Sequence, residues 1–209
     1  YIMKKQKIAF IIGVTGQDGS YMSSLLHKKN YKIFGFTRSI NKNNLINLIR
    51  LKLKKKIILK KYSENRPNDI LKIFKRTKPQ EVYYFAGQSS VGKSFKKPLD
   101  TYRSNTIILF KILEFVRINK LKTKIYNSCS TDCFGNSKKI YKNEKDKFYP
   151  VSPYGNSKSF TYWLTKYYRE NYNINCKSGI LSNHESPLRK ENFVLKKIIN
   201  FLKKNKKSE

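Results

Sequence analysis

Residues 7–19 read KIAFIIGVTGQDG and join a short apolar run to three regularly spaced glycines. The apolar run predicts a buried parallel strand, and residues 20–29 after the glycines predict a helix. A strand, a G-x-x-G-x-x-G turn and a helix form a setting in which the backbone can approach the pyrophosphate of a dinucleotide at a helix N-terminus. We therefore expect a dinucleotide-binding turn at Gly13, Gly16 and Gly19. An ordinary glycine-rich turn is the alternative.

The rest of the chain repeats this alternation of strand-like and helix-like segments. Apolar runs predict further strands at residues 31–36, 57–59, 81–86 and 124–129. Helical patterns lie between and after them, weakly at residues 41–56 and more clearly at 67–77, 100–119 and 157–169, with an exposed lysine-rich helix end at 195–209. Strands that alternate with helices indicate an α/β fold with a doubly wound parallel sheet of the Rossmann type.

The end of the second predicted strand bears on cofactor choice. An acidic residue at that place would bind the ribose 2′-hydroxyl of NAD. The chain has Thr37-Arg38-Ser39 instead, and a guanidinium can pair with a 2′-phosphate. The sequence therefore favours NADP over NAD, unless Arg38 is simply one basic residue among 46.

Groups suited to proton transfer follow the fifth predicted strand. Ser130 and Asp132 come directly after it, and Tyr154 and Lys158 lie four residues apart in the next helical stretch. Residues at i and i+4 share a helix face, and a neighbouring ammonium favours the phenolate. We therefore expect a lowered tyrosine pKa and a general base near neutral pH. The alternatives are a helix surface for the tyrosine–lysine pair and a turn cap for Asp132.

Composition limits the classes of protein. The net charge of +33 could indicate a nucleic-acid or anionic-membrane partner, but the lysines are spread along the whole chain, so solvated faces and no specific nucleic acid are expected. No apolar run approaches the ~18 residues of a membrane span, and no signal peptide is apparent. Three cysteines without a C-x-x-C pair predict neither a zinc site nor a disulfide framework, which leaves reduced thiols in a cytoplasmic protein.

Several motifs together resemble the extended short-chain dehydrogenases/reductases and, more narrowly, the GDP-mannose 4,6-dehydratase family. They are GVTGQDGSY at 13–21, AGQSSVG at 86–92, CFG at 133–135, SPY at 152–154 with Lys158, GILSNHESPLR at 179–189 and NFV at 192–194. The NHESP stretch is the most discriminating. The resemblance covers nearly the whole chain.

The resemblance assigns roles to matching positions. It implies that NADP is held by Gly13, Thr15, Gly16, Gln17, Asp18, Gly19, Arg38, Ala86, Gly87, Gln88, Ser89, Lys158, His184 and Arg189. It implies catalytic roles for Ser130, Asp132, Tyr154 and Lys158, and contacts to a GDP-mannose substrate for Ser90, Asn183 and Lys197. It also implies a homo-oligomer, a dimer or tetramer, and conversion of GDP-mannose to GDP-4-keto-6-deoxymannose by internal hydride transfer.

The chain also departs from the family pattern. Asp132 stands where the family has Glu, and Tyr62-Ser63-Glu64 replaces Gly-Asp-Leu near the expected adenine. Family members are considerably longer, so the resemblance implies an NADP-binding domain at 1–182 and an apparently truncated substrate-binding region at 183–209. A weak enzyme, an inactive NADP-binding remnant and another nucleotide-sugar dehydratase or epimerase are the alternatives.

Overall fold

The computed structural model describes residues 6–191 and 193–205, and its centre is one parallel sheet. Six strands form this sheet within the described residues: β1 (Ile8–Ile12), β2 (Lys32–Thr37), β3 (Ile58–Lys61), β4 (Glu81–Tyr84), β5 (Lys124–Ser130) and β6 (Cys176–Leu181). Their order is β3-β2-β1-β4-β5-β6, and every neighbouring pair is parallel. This is the doubly wound order of the Rossmann fold, so the predicted fold class is confirmed.

Helices cover both faces of the sheet. They are α1 (Gln17–Lys28), α2 (Ile46–Arg50), α3 (Asn68–Thr77), α4 (Val91–Lys96), α5 (Pro98–Ile118), α6 (Pro153–Tyr172) and α7 (Val194–Asn205), with one 3₁₀ turn at Thr131–Cys133. No helix in the described ranges has both the length and the apolar character needed to cross a bilayer. The predicted leaderless start at residues 1–5 and the last four residues of the predicted tail lie outside the described residues.

The apolar run of β1 is the centre of the core. Alternate side chains of a strand point to opposite faces of the sheet. Phe10 and Ile12 accordingly belong to one buried cluster, which includes Phe74 on α3 and residues of α5. Ala9 and Ile11 belong to a second cluster on the other face, against α1 and α2. Burial on both faces explains why this strand has no polar residue between Ile8 and Ile12.

Five elements differ from the predictions, among them α6, which begins at Pro153 rather than at residue 157. Helix α1 begins at Gln17 rather than at residue 20, because Gly16 already has the extended backbone of an N-cap. The weak helical pattern at 41–56 gives only the five-residue α2. Strand β6 and helix α4 were not predicted. β6 is an edge strand with the sequence CKSGIL and only partial burial, so it lacks the continuous apolar run by which buried parallel strands are found.

The sheet order determines where the functional segments meet. β1 and β4 are neighbours although helices and two strands separate them in the chain. Ligands of open α/β sheets bind at such a switch point, beyond the carboxyl ends of the strands. The segments that follow β1, β4, β5 and β6 therefore converge on one edge.

Candidate active site

A cavity of about 660 Å³ lies at this carboxyl edge. Sixteen of the side chains or glycines expected to bind or catalyse line it: Gly16, Gln17, Asp18, Gly19, Ala86, Gly87, Gln88, Ser89, Ser90, Ser130, Asp132, Tyr154, Lys158, Asn183, His184 and Arg189. Its volume is in the range of small-molecule and cofactor sites. The structure thus brings together residues separated by more than 170 positions in the chain.

The glycine turn is shaped by close backbone contacts. Gly13 has φ +88°, and a Cβ there would lie 2.8 Å from the backbone N of Ala86. A Cβ at Gly19 would collide with the carbonyl oxygen of Gly13. Gly16, the N-cap of α1, has no side chain to cap the helix, so the first amides of α1 remain available to an anion. These contacts explain on steric grounds why the first and third positions of the turn are glycines.

The segment after β4 approaches α5 just as closely. Gly87 has φ +132°, and a Cβ there would overlap Oδ1 of the buried Asn105. The Asn105 amide nitrogen donates to the Gln88 carbonyl (3.3 Å) and to Ser157 Oγ (2.8 Å). Asn105 therefore connects the segment after β4 to α6, the helix of Tyr154 and Lys158. Sequence reasoning did not single it out, because a polar residue inside a helix carries no distinctive local pattern.

Ser130 and Asp132 form a hydrogen-bonded pair at the end of β5. Ser130 Oγ donates to Asp132 Oδ2 (2.9 Å) and accepts from the Asp132 amide (3.2 Å). Ser130 thus caps the 3₁₀ turn, whereas the cap role had been considered for Asp132. The carboxylate is held beside the hydroxyl and lines the cavity.

Tyr154 and Lys158 lie on α6 as expected, but their electrostatics differ from the prediction. Burial raises the pKa of Tyr154 to about 12; the Ser130 hydroxyl opposes this and the Asp132 carboxylate adds to it. Lys158 is buried, which lowers its own pKa. Its Nζ donates to the Ser128 carbonyl (2.8 Å) and lies 5.9 Å from the Tyr154 ring centroid. The expected lowering of the tyrosine pKa is wrong, because burial of the phenol has the largest effect and raises the pKa.

Residues 182–189, here called the clasp loop, close over the N-terminus of α1. Gln17 Nε2 donates to the His184 carbonyl (3.2 Å), and Ser186 Oγ donates to Gln17 Oε1 (2.7 Å). The His184 ring places Nε2 2.8 Å from Asp18 Oδ1 and Nδ1 2.8 Å from the Ser182 carbonyl. Both partners are acceptors, so both ring nitrogens act as donors when the imidazole is protonated.

This geometry predicts a pH-dependent clasp. The Ser182 carbonyl and Asp18 raise the pKa of His184 against the opposing effect of burial. A raised folded-state pKa means that the stabilisation is complete below the unfolded value of about 6.5 and is lost as pH rises through the folded value. The difference in melting temperature between the parent chain and His184→Ala should therefore shrink as the pH rises from about 6.5 through the raised folded-state pKa.

The matched control is His27→Ala, which removes the second histidine of the chain. Its effect on the melting temperature gives the reference for removing a histidine that lies outside the clasp loop. The His184 side chain is 44% exposed, so we expect a contribution of no more than about 1 kcal/mol. A His184→Ala effect that stays constant across the pH range would contradict the protonated clasp.

Four of the predicted site residues lie outside this cavity. Gly13 does not line it, but packs against the backbone of Ala86, which does. Thr15 lines a neighbouring cavity together with Arg189. The Arg38 side chain is 58% exposed, with Nη1 3.8 Å from Glu64 Oε1. Lys197 is exposed on α7.

Two buried thiols lie next to the candidate active site. Cys129 and Cys133 lie on either side of Ser130 and Asp132, with their sulfurs 3.3 Å apart. The sequence reasoning treated the three cysteines as unrelated. Their i, i+4 spacing across a strand end could have drawn attention to them, but only the 3₁₀ turn brings the sulfurs together.

The sheet order, the glycine turn and the tyrosine–lysine pair on one cavity define the class as short-chain dehydrogenase/reductase. Within that class, residues 10–209 match the model of the family described as GDP-mannose 4,6 dehydratase, and the chain belongs to that family.

Two curated relatives illustrate the match. A GDP-mannose 4,6-dehydratase of Sinorhizobium fredii (strain HH103) is 36% identical over 203 residues, which cover 94% of this chain and 58% of that protein. A GDP-mannose 4,6 dehydratase of Drosophila melanogaster is 34% identical over 202 residues, covering 93% of this chain and 51% of that protein. The chain spans about half the length of the curated relatives it matches.

Solved structures agree on the fold. A UDP-glucuronic acid 4-epimerase from Bacillus cereus, in complex with UDP-glucuronic acid and NAD, superimposes with a TM-score of 0.83 at 20% identity, covering 94% of this chain and 63% of that chain. A UDP-N-acetylglucosamine 4-epimerase from Methanobrevibacter ruminantium M1 gives 0.82 at 23% identity, covering 97% and 64%. At this level of identity the likeness establishes the fold alone.

Proposed function

We propose that this chain carries the cofactor-binding and catalytic part of a nucleotide-sugar 4,6-dehydratase that converts GDP-mannose to GDP-4-keto-6-deoxymannose with NADP. The observation that carries the proposal is the convergence of Ser130, Asp132, Tyr154 and Lys158 on the cavity that also contains the glycine turn. Membership of the family and the names of the relatives support the choice of substrate.

The residues at the turn fit a dinucleotide. Gly13 and Gly87 let the two segments of the site pack closely against neighbouring parts of the protein, and the N-terminus of α1 opens into the cavity without a side-chain cap. Lys158 Nζ uses one of its three donors on Ser128, which leaves capacity for ribose hydroxyls. Ala86, Gln88 and Ser89 line the same wall.

Side chains of this protein would then carry out the proton transfers. A bound nicotinamide supplies reversible hydride acceptance. Tyr154 takes the proton of the sugar C4 hydroxyl as the phenolate; because burial raises its pKa to about 12, the phenol must first release its own proton to solvent water. Ser130 hydrogen-bonds the same sugar oxygen. Asp132 removes the C5 proton made acidic by the new ketone and passes it to the C6 hydroxyl, which leaves as water. The Tyr154 phenol would then donate its proton to C5 as C6 is reduced, which keeps the C4 ketone of the product and restores the phenolate.

The remaining assignments concern substrate binding, the domain boundary and association of the chain with copies of itself. Ser90 and Asn183 line the cavity, and we assign them to the sugar side, with Lys197 as an outer contact. We propose residues 1–182 as the NADP-binding domain and 183–209 as the start of the substrate-binding region; the last strand, β6, ends at Leu181. Large side chains are exposed on α5 and α6 at Phe110, Phe160, Trp163 and Tyr167, and this face supports a homo-oligomer.

The preference for NADP can be tested at Arg38. Removing a charged hydrogen bond to a phosphate costs about 1.5–3 kcal/mol, so Arg38→Ala should weaken NADP binding by about 10- to 100-fold and leave NAD binding nearly unchanged. Fluorescence titration with both reduced cofactors measures this. Arg66→Ala, which removes an exposed arginine that pairs with Asp69, is the matched control. Equal losses for both cofactors in Arg38→Ala would contradict the 2′-phosphate assignment.

The proposed reaction is tested by mass spectrometry of GDP-mannose incubated with this chain and NADP⁺. A product lighter by one water supports the dehydratase, and Asp132→Asn should then abolish the product while NADP still binds. Unchanged GDP-mannose with intact NADP binding would overturn the catalytic assignment for this chain and favour the non-catalytic alternative. Conversion of a UDP-sugar in its place would favour the epimerase alternative.

A further inference from the structure

Cys129 and Cys133 form a close, buried dithiol beside the cavity. Their sulfurs are 3.3 Å apart, and their side chains are 3% and 0% exposed. Cys129 lies within β5 and Cys133 ends the 3₁₀ turn, so regular structure holds both positions. A disulfide bond is about 2 Å long, so the sulfurs need to approach by only about 1.3 Å.

The two thiols differ in position and in acidity. Cys129 is the member of the pair that lines the main cavity, and the Cys133 sulfur lies 3.3 Å from its own. The two sulfurs share a hydrogen bond, which lowers the pKa of Cys133 to about 7 and raises that of Cys129. Lys158 nearby favours the same thiolate. The thiolate is the reactive form of a cysteine.

We propose that Cys129 and Cys133 are a two-electron oxidation site that reacts with small hydroperoxides to form a reversible disulfide. The thiolate of the pair attacks one oxygen of hydrogen peroxide, the O–O bond breaks, and the departing hydroxide becomes water with a thiol proton. The second sulfur then attacks the sulfenic acid, the S–S bond forms, and water leaves. Two thiols and one hydrogen peroxide give one disulfide and two waters.

The disulfide would close a small ring around the proposed catalytic segment. Ser130 and Asp132 lie between the two cysteines, and Cys129 Sγ and Cys133 Sγ also contact the backbone carbonyls of Lys158 and Gly155 on α6. Drawing the sulfurs together would shift the Asp132 carboxylate, and a shift of about 1 Å can cost about a hundredfold in rate. This consequence rests on the proposed function, whereas formation of the disulfide does not.

Peptide mapping of the purified chain tests the site. The reduced protein is treated with hydrogen peroxide, its free thiols are alkylated under denaturing conditions, and it is digested with trypsin. Both cysteines fall in the peptide of residues 125–138, between Lys124 and Lys138. We expect that peptide to lose two hydrogens and escape alkylation, and to regain two alkylatable thiols after dithiothreitol.

Cys176 is the built-in control. Its thiol donates to the Thr165 carbonyl (3.1 Å), and burial raises its pKa to about 11, so it should stay reduced and be alkylated in every sample. Cys133→Ser should prevent the two-hydrogen loss, whereas Cys176→Ser should not. Three results would each overturn the proposal: full alkylation of the peptide after peroxide, oxygen addition that dithiothreitol does not reverse, or a covalent dimer. These results are read from the parent chain, so they hold even if the serine variants fail to fold.

Discussion

The Tyr154→Phe variant should dehydrate GDP-mannose about 10²- to 10⁴-fold more slowly than the parent chain, the range expected when a positioned acid–base group is lost. The phenol is the group placed beside Ser130, and the side chain is only 8% exposed. Phenylalanine keeps the buried ring and removes the phenol oxygen that accepts the proton of the sugar hydroxyl. The rate is measured by mass spectrometry of the nucleotide sugar, with NADP present in excess.

Two further measurements make this result specific. NADP affinity should change little in Tyr154→Phe, because the proposed phosphate contacts lie at the glycine turn. Tyr149→Phe, at a tyrosine that is 65% exposed, removes a hydroxyl away from the cavity and should leave the rate unchanged. If Tyr154→Phe retains the parent rate, proton transfer by this residue is ruled out.

The Gly13→Ala variant should lose NADP binding by at least about a hundredfold, because the change acts on the backbone of the turn itself. At φ +88° an alanine is strained, which costs about 1–3 kcal/mol. Its Cβ would also lie 2.8 Å from the backbone of both Phe85 and Ala86. The two segments that line the cofactor wall must then move apart. Fluorescence titration with NADPH and a thermal melt measure the two effects.

Gly92→Ala is the matched control for Gly13→Ala. Gly92 lies in α4, and no atom would come within 4 Å of its added Cβ. Alanine in a helix interior is favoured over glycine by about 1 kcal/mol, so this variant should bind NADP normally and melt no lower than the parent chain. Equal NADP affinity in the two variants would show that Gly13 has no steric role in the turn.

Local patterns were enough to predict the central part of the fold. The β1 run and its glycine turn are contiguous in sequence, so their hydrophobic burial and tight turn could be inferred without knowledge of partners. The Tyr154 and Lys158 pair could also be placed on one helix face, because helical periodicity is fixed by geometry. The alternation of strands and helices predicted a doubly wound parallel sheet, but neither its sixth strand nor its strand order.

Other features depend on contacts between distant residues. The hydrogen bond between His184 and Asp18 joins positions 166 residues apart, and no local sequence pattern predicts it. The direction of the Tyr154 pKa shift depends on how deeply the ring is buried, which a sequence does not reveal. Edge strand β6 was missed because partial burial lets polar residues such as Lys177 and Ser178 interrupt its apolar pattern.

The all-parallel sheet also has a consequence for the order of folding. Each parallel pairing joins distant positions, such as Ala9 with Glu81 and Ile125 with Cys176. Pairings of this kind close long loops and make folding slow. The cavity needs the segments after β1, β4, β5 and β6 together, so it is complete only once the last strand has docked. Recovery of NADP binding during refolding should therefore coincide with the slowest kinetic phase, after most helical signal has returned.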